Sequence, residues 1–331
     1  MYRIGCLFIF ISLFISCAKT SEEEIRSSIA EAKYLLSSME CSDALNILDD
    51  VDFQNDNADY ISVYASAQAC SAGYKELDLF GDDLSSISSS GLIQSLAAFD
   101  SSLGEATADS VAYQAMDSAI TTLLSYDEDA GGQPSTLARA TKFGIKKSGD
   151  LSLQALYMIF SQLGRHFALY GNADPDVATK GEKGGGAQSN SCIFSYTTQD
   201  AVDWITTVNP GTCVAATGTE GSDLLESPET SADIKRRLCQ GIVYYNNMMD
   251  ILGNVTLPGS DSLGDVSNIQ TALNTLMLAA EAAESGVYND GAADGVNAIS
   301  TLKTVTSQSV CEDVTIERIE KWYAIFFESV Y

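Results

Sequence analysis

The chain has 331 residues and a formal charge of −27, with 45 Asp and Glu against 18 Lys and Arg. Such a charge argues against nucleic acid and anionic lipid surfaces as partners, since both reward basic patches. A hydrophobic share of 45% excludes wholesale disorder and allows one large helical body or two domains.

The first element is a leader. Arg3 precedes an apolar run from Ile4 to Ser16. That run is shorter than the roughly 20 residues a helix needs to cross a bilayer, but it suits the apolar region of a signal peptide. With Leu13, Phe14, Ile15 and Ser16 ahead of Cys17, the segment resembles the bacterial lipoprotein signal, with Phe14 where Leu is usual. The resemblance implies removal of residues 1–16 and acylation of Cys17, with two or three chains (palmitate among them) tying the protein to a membrane. Ala18 stands where an Asp would favour inner-membrane retention, so the outer membrane is the expected address, with the body on the periplasmic or exterior side.

Residues 17–21 then form a lipidated tether, and helices follow. Glu22, Glu23 and Glu24 sit where a helix N-terminus favours negative charge, and Ile25, Ile29, Ala32, Leu35 and Leu36 recur at helical spacing. Ser42 or Asp43 is the expected cap of a second helix carrying Ala44, Leu45, Ile47, Leu48 and Val51. A polar turn over Asp52–Asp59 leads to a third helix over Tyr60–Tyr74. This run, at about 24–76, resembles the tetratricopeptide repeat. Ala44 takes the small-residue position, Leu48 the bulky one, and Met39 lies near where Gly is expected.

Further helices are expected at Leu92–Phe99, Ser110–Ser125, Ser135–Phe143, Leu151–Tyr170, Gln199–Val208, Ala232–Leu252, Asp265–Glu284 and Val314–Tyr331. Prolines 134, 175, 210, 228 and 258 fall between these segments or open one. The segment 171–230 is rich in Gly, Ser, Thr, Asp and Asn, and reads as a loop-rich insertion with a surface loop at Gly181–Gly186. The resulting fold class is all-α. Stacked antiparallel helix pairs over 22–170 and 231–331 make one helical domain of residues 22–331, interrupted by that insertion.

Eight cysteines are present. Cys6 leaves with the leader and Cys17 carries lipid. The remaining Cys41, Cys70, Cys192, Cys213, Cys239 and Cys311 read as disulfides in an exported chain. Proximity suggests Cys41–Cys70, Cys192–Cys213 and Cys239–Cys311, the last pinning the C-terminal helix to an earlier one. A Cys192–Cys213 bridge would restrain the insertion by roughly 3 kcal/mol in the chain-entropy model. Zinc is the rival reading, but there is no CxxC and His166 is the only histidine.

Candidate chemistry is thin. His166 lies in a helix without a nucleophile motif and is expected to be a surface or half-buried structural residue. Gly184–Gly186 lacks the Lys and Ser or Thr of a phosphate-cradling loop. Asp52–Asp59 and Asn289–Gly295 crowd oxygen ligands but do not match a calcium-binding EF-hand, so solvated turns are expected. Lys235-Arg236-Arg237 stands out in an acidic chain and is read as pairing with neighbouring carboxylates. Trp204 and Trp322 are expected in the core. No cofactor, metal or catalytic residue is expected. The favoured function is a non-catalytic binding or scaffolding lipoprotein. Its partner would be an envelope protein, peptide or small ligand, as in an accessory component of a transport or envelope complex. The alternative is a cell-wall glycan hydrolase using acidic residues.

Overall fold

The computed structural model describes residues 21–75, 110–124, 133–171, 173–174, 179–180, 192, 194, 196–208, 231–255, 264–287 and 297–328. It is all-α. The only extended pairing among these residues is a two-residue ribbon, Ala173 and Asp174 against Lys180 and Thr179.

Three helices open the described chain: α1 (Ser21–Ser37), α2 (Cys41–Asp49) and α3 (Ala58–Ser71). Ile29, Ala32, Ala44, Leu48, Tyr60, Val63 and Ala67 form a small core between them. Two of these helices end in the same way. The Glu40 N–H donates to the Leu35 carbonyl and the Met39 N–H to that of Leu36. The Tyr74 N–H donates to Ala69 and the Gly73 N–H to Cys70. Both are Schellman closures, which place one residue in left-handed backbone. Gly73 has φ 79°, and Met39, without a glycine's freedom, has φ 61°. Helix α2 begins at Cys41 behind Glu40 with no side-chain cap, so neither Ser42 nor Asp43 serves as the cap. The Cys41–Cys70 disulfide reaches from the head of α2 to the end of α3 instead. Asn57 caps α3 by accepting from the Asp59 and Tyr60 N–H groups.

Helix α3 is buried on two faces. Tyr60, Val63 and Ala67 face the small core, while Ile61, Ala65 and Ala69 belong to the large one. The large core continues through α4 (Val111–Leu124), α5 (Thr136–Phe143) and α6 (Ile145–Tyr170). Ser135 caps α5, and Gly144, at φ 78°, separates α5 from α6. Helix α6 starts at Ile145 rather than Leu151, because this single left-handed glycine is all the break the chain needs.

The second half comprises α7 (Gln199–Asp203) with its π-helical extension Trp204–Val208, α8 (Ser231–Asn254), α9 (Gly264–Val287), α10 (Ala298–Leu302), α11 (Gln308–Glu312) and α12 (Ile316–Tyr323), which continues as a π-helical turn over Ala324–Glu328. The short α10 and α11 have too few residues to show a period, and sequence reading missed them. Cys239 on α8 bonds Cys311 on α11, so this bridge holds the element before the terminal helix rather than the terminal helix itself. Cys192 is disulfide-bonded and buried; Cys213 lies outside the described residues, as do the expected helix at Leu92–Phe99 and the Gly181–Gly186 loop.

Carboxylates carried from a distance hold these short helices. Glu284 accepts from the N–H groups of Ala298 (2.6 Å) and Ile299 (2.9 Å) at the head of α10. Glu320 accepts from the Thr197 N–H (2.8 Å), the Thr198 N–H (2.7 Å) and the Thr197 hydroxyl (2.7 Å) at the head of α7. Glu328 accepts from the Tyr196 hydroxyl at 2.8 Å. Asn246 Nδ2 donates to the carbonyls of Leu302 and Val305 at the other end of α10. Each bond gives a backbone or hydroxyl group a partner that its own short element does not supply, and the carboxylate bonds are charge-assisted. Around them Trp322, Tyr323, Phe326 and Phe327 interleave with Tyr245, Phe167 and Phe194, with centroid separations down to 4.6 Å. Trp204 and Trp322 are in this core, as expected.

Candidate functional site

Helix α6 carries His166 into the aromatic core, where it is 0% exposed. The rings of Tyr170, Phe167 and Phe194 surround it at 5.4, 5.9 and 6.1 Å. This corrects the expectation of a surface or half-buried residue. The period of α6 places position 166 on the inward face, and the bulk that closes over it comes from distant segments. Among the described residues neither ring nitrogen has a hydrogen-bond partner. Across from it, Gly241 on α8 gives the close approach its room. A Cβ there would stand 2.3 Å from the Tyr323 hydroxyl and 2.6 Å from His166 Nε2. Burial pushes the imidazole pKa down to about 3, so the ring is neutral at physiological pH and sealed from solvent.

One helical turn away on each side lies a polar seam between α4, α6 and α8. The Tyr244 hydroxyl donates to Asp117 Oδ1 at 2.5 Å, and Gln162 Nε2 donates to the Tyr113 carbonyl at 3.2 Å. Burial raises the Asp117 carboxyl above its ordinary range, while the Tyr244 hydrogen bond, the Arg236 charge and Gln240 pull it back down. The Lys235-Arg236-Arg237 triplet is divided by the helix. Arg237 turns inward over the Tyr170 ring at 4.5 Å, and burial lowers its pKa to about 10. Arg236 stays near the surface, 3.9 Å from Asp233. Hence the triplet is not an exposed basic patch.

The acidic turn is likewise engaged. Asp56 meets Lys142 at 3.1 Å, Asp59 pairs with Lys147, and Asn57 spends its carbonyl on the α3 cap. Among the described residues no group of three or more His, Cys, Asp or Glu could hold a metal ion. Asn289–Gly295 and Cys17 lie outside the described residues, and no described helix is long and apolar enough to cross a membrane.

An open groove of about 410 Å³ lies where the head of α6 meets α5 and the end of α8. Thr136, Lys146, Ser148, Gly149, Asp150 and Asn254 line it. Thr136 is held by Asp250, which accepts from its N–H and its hydroxyl, each at 2.7 Å. Beside it, the buried Arg139 donates to Ser152 (3.1 Å) and Thr136 (3.2 Å), with Asp250 at 3.9 Å. Burial lowers the Arg139 pKa to about 10, which leaves it charged. Sequence reading missed this groove. Its signal was the run Gly144-Ile145-Lys146-Lys147-Ser148-Gly149, which puts two lysines between glycines at a helix head.

No protein family, curated protein or solved structure matches the chain.

Proposed function

We propose that this is a lipid-anchored envelope protein with a non-catalytic binding or scaffolding role, held to the outer membrane through Cys17. The observation that carries the reading is the pairing of Cys41 with Cys70 and Cys239 with Cys311 in a chain whose apolar leader ends at Cys17. Structural disulfides persist in oxidising compartments, the expected destination of such a leader. The residues between Cys17 and the start of α1 at Ser21 span at most about 3.5 Å each, so the body would ride close to the lipid surface. Helix pairs resembling tetratricopeptide repeats would face an envelope protein, a peptide or a small ligand there.

The binding class is supported by where the reactive side chains go. His166 is enclosed and neutral, and Glu284 and Glu320 spend their oxygens on backbone N–H groups. A glycan hydrolase needs a carboxyl with a raised pKa in an accessible cleft. Asp117 has the raised pKa, but its oxygens are engaged by Tyr244 and Gln240 beside the charge of Arg236.

Intact-mass spectrometry of the membrane-extracted protein tests the anchor. The expected species begins at Cys17, carries two or three acyl chains, and gains alkylation at its other cysteines only after reduction. An unacylated chain, or free thiols before reduction, would overturn the reading.

A further inference from the structure

The Cys41–Cys70 and Cys239–Cys311 bridges differ in burial. Cys239 and Cys311 are each 0% exposed inside the large core, and Cys192 is 2% exposed. Cys41 and Cys70 are both only half-buried and belong to neither core. Among the described cysteines they alone are within reach of solvent. Thiol–disulfide exchange requires a thiolate to reach a sulfur, so access decides which bridge exchanges first.

The two sulfurs also sit at opposite kinds of helix end. Cys41 is the first residue of α2, a helix of 9 residues with no side-chain cap. The unshared N–H groups of that turn favour a thiolate, and a stabler thiolate is a better leaving group. Glu40 and Asp43 stand nearby, but both are exposed and screened by solvent. Cys70 lies in the last turn of α3, where the helix dipole disfavours a thiolate. The bridge therefore has a preferred direction of cleavage.

Little else holds what this bridge ties down. Helix α1 buries only Ile29 and Ala32, and α2 only Ala44 and Leu48. Helices of that length are marginal without tertiary packing. Helix α3 is different, because Ile61, Ala65 and Ala69 fix it in the large core.

We infer that Cys41–Cys70 is a thiol-exchange site, opened by a dithiol to release α1 and α2 from α3. One thiolate of the dithiol bonds to Cys70 Sγ, the Cys41–Cys70 bond breaks, and Cys41 leaves as a thiolate. The second thiolate then displaces Cys70. The dithiol becomes a disulfide, and its two electrons and two protons pass to the two cysteines. Opening bares Tyr60, Val63 and Ala67 on α3 and converts α1 and α2 into a longer tether to the lipid. The tether rests on the lipid-anchored reading, whereas the exchange itself does not.

The test uses the purified full chain in detergent, its bridges first closed with oxidised glutathione, and dithiothreitol as the dithiol. Samples are blocked over time with one alkylating reagent, fully reduced and labelled with a second, so peptide mass spectrometry reads each cysteine separately. We expect Cys41 and Cys70 to open about tenfold or more faster than Cys239 and Cys311. With reduced glutathione, acid-trapped adducts should form on Cys70 and leave Cys41 free. In the chain opened only at that bridge, hydrogen exchange should rise in α1 and α2 while α6 and α8 keep their protection. A variant carrying both Cys41→Ser and Cys70→Ser should give the same exchange pattern without reductant. Equal opening rates at the two bridges, glutathione on Cys41, or unchanged protection of α1 and α2 after opening would each overturn the inference. An unacylated chain that gives the expected results would defeat only the anchor.

Discussion

The N-terminal three helices and the C-terminal body are stabilised in different ways. Helices α1 to α3 are closed by local devices: the Asn57 cap, two Schellman turns, and a disulfide spanning a sequence separation of 29. The body has helices as short as five residues, held by carboxylates and amides more than ten positions away, and by a disulfide with a separation of 72. Short helices do not survive on propensity alone. In the body, then, polar side chains in the interior supply what backbone periodicity supplies at the N-terminus.

That contrast accounts for what could be read from the chain alone. Ile29, Ala32, Ala44 and Leu48 recur at helical spacing, and the structure buries them together. The pairs Cys41–Cys70 and Cys239–Cys311 follow from proximity because the intervening helices fold back on themselves. Glu320, by contrast, reads as an ordinary acid on an amphipathic helix, since nothing local reveals that it will meet Thr197 and Thr198. His166 is the same case: its enclosure depends on Phe194 and on Tyr323 beside Gly241. The groove was missed through a boundary, because starting α6 at Leu151 leaves Lys146, Ser148 and Asp150 in a loop.

Substitution of the caps separates the two regions most sharply. Glu320→Ala leaves two part-buried N–H groups and a hydroxyl without their acceptor, and should cost about 2 kcal/mol. Asn57→Ala removes a single exposed-side cap and should cost about 1 kcal/mol. Urea unfolding of both variants checks this, and equal losses would erase the distinction between the regions. The smallest expected effect lies at the Schellman turns. Met39 is 57% exposed and held left-handed, so Met39→Gly relieves backbone strain with little packing lost. After the entropy gained by the unfolded chain, stability should rise by about 0.5 kcal/mol. Gly73→Ala, the reverse change in the same geometry, should lower it by about 1 kcal/mol. A fall with Met39→Gly would mean that the methionine side chain matters more than its backbone.

The body encloses a polar interior that is structural and closed to solvent, with His166 at its centre. Because His166 is the only histidine, an imidazole NMR titration of the folded protein reads this group without ambiguity. Its folded pKa of about 3 lies below the unfolded value near 6.5, so the unfolded chain takes up the proton first. This contribution is therefore fully present above pH 6.5 and is lost as pH falls towards 3, by about 1.4 kcal/mol per unit within that window. The imidazole resonances should stay at neutral-form positions from pH 8 down to the acid unfolding transition. A titration in the folded state with a midpoint near 6.5 would mean that water reaches the ring, and would return His166 to the list of candidate acid–base groups.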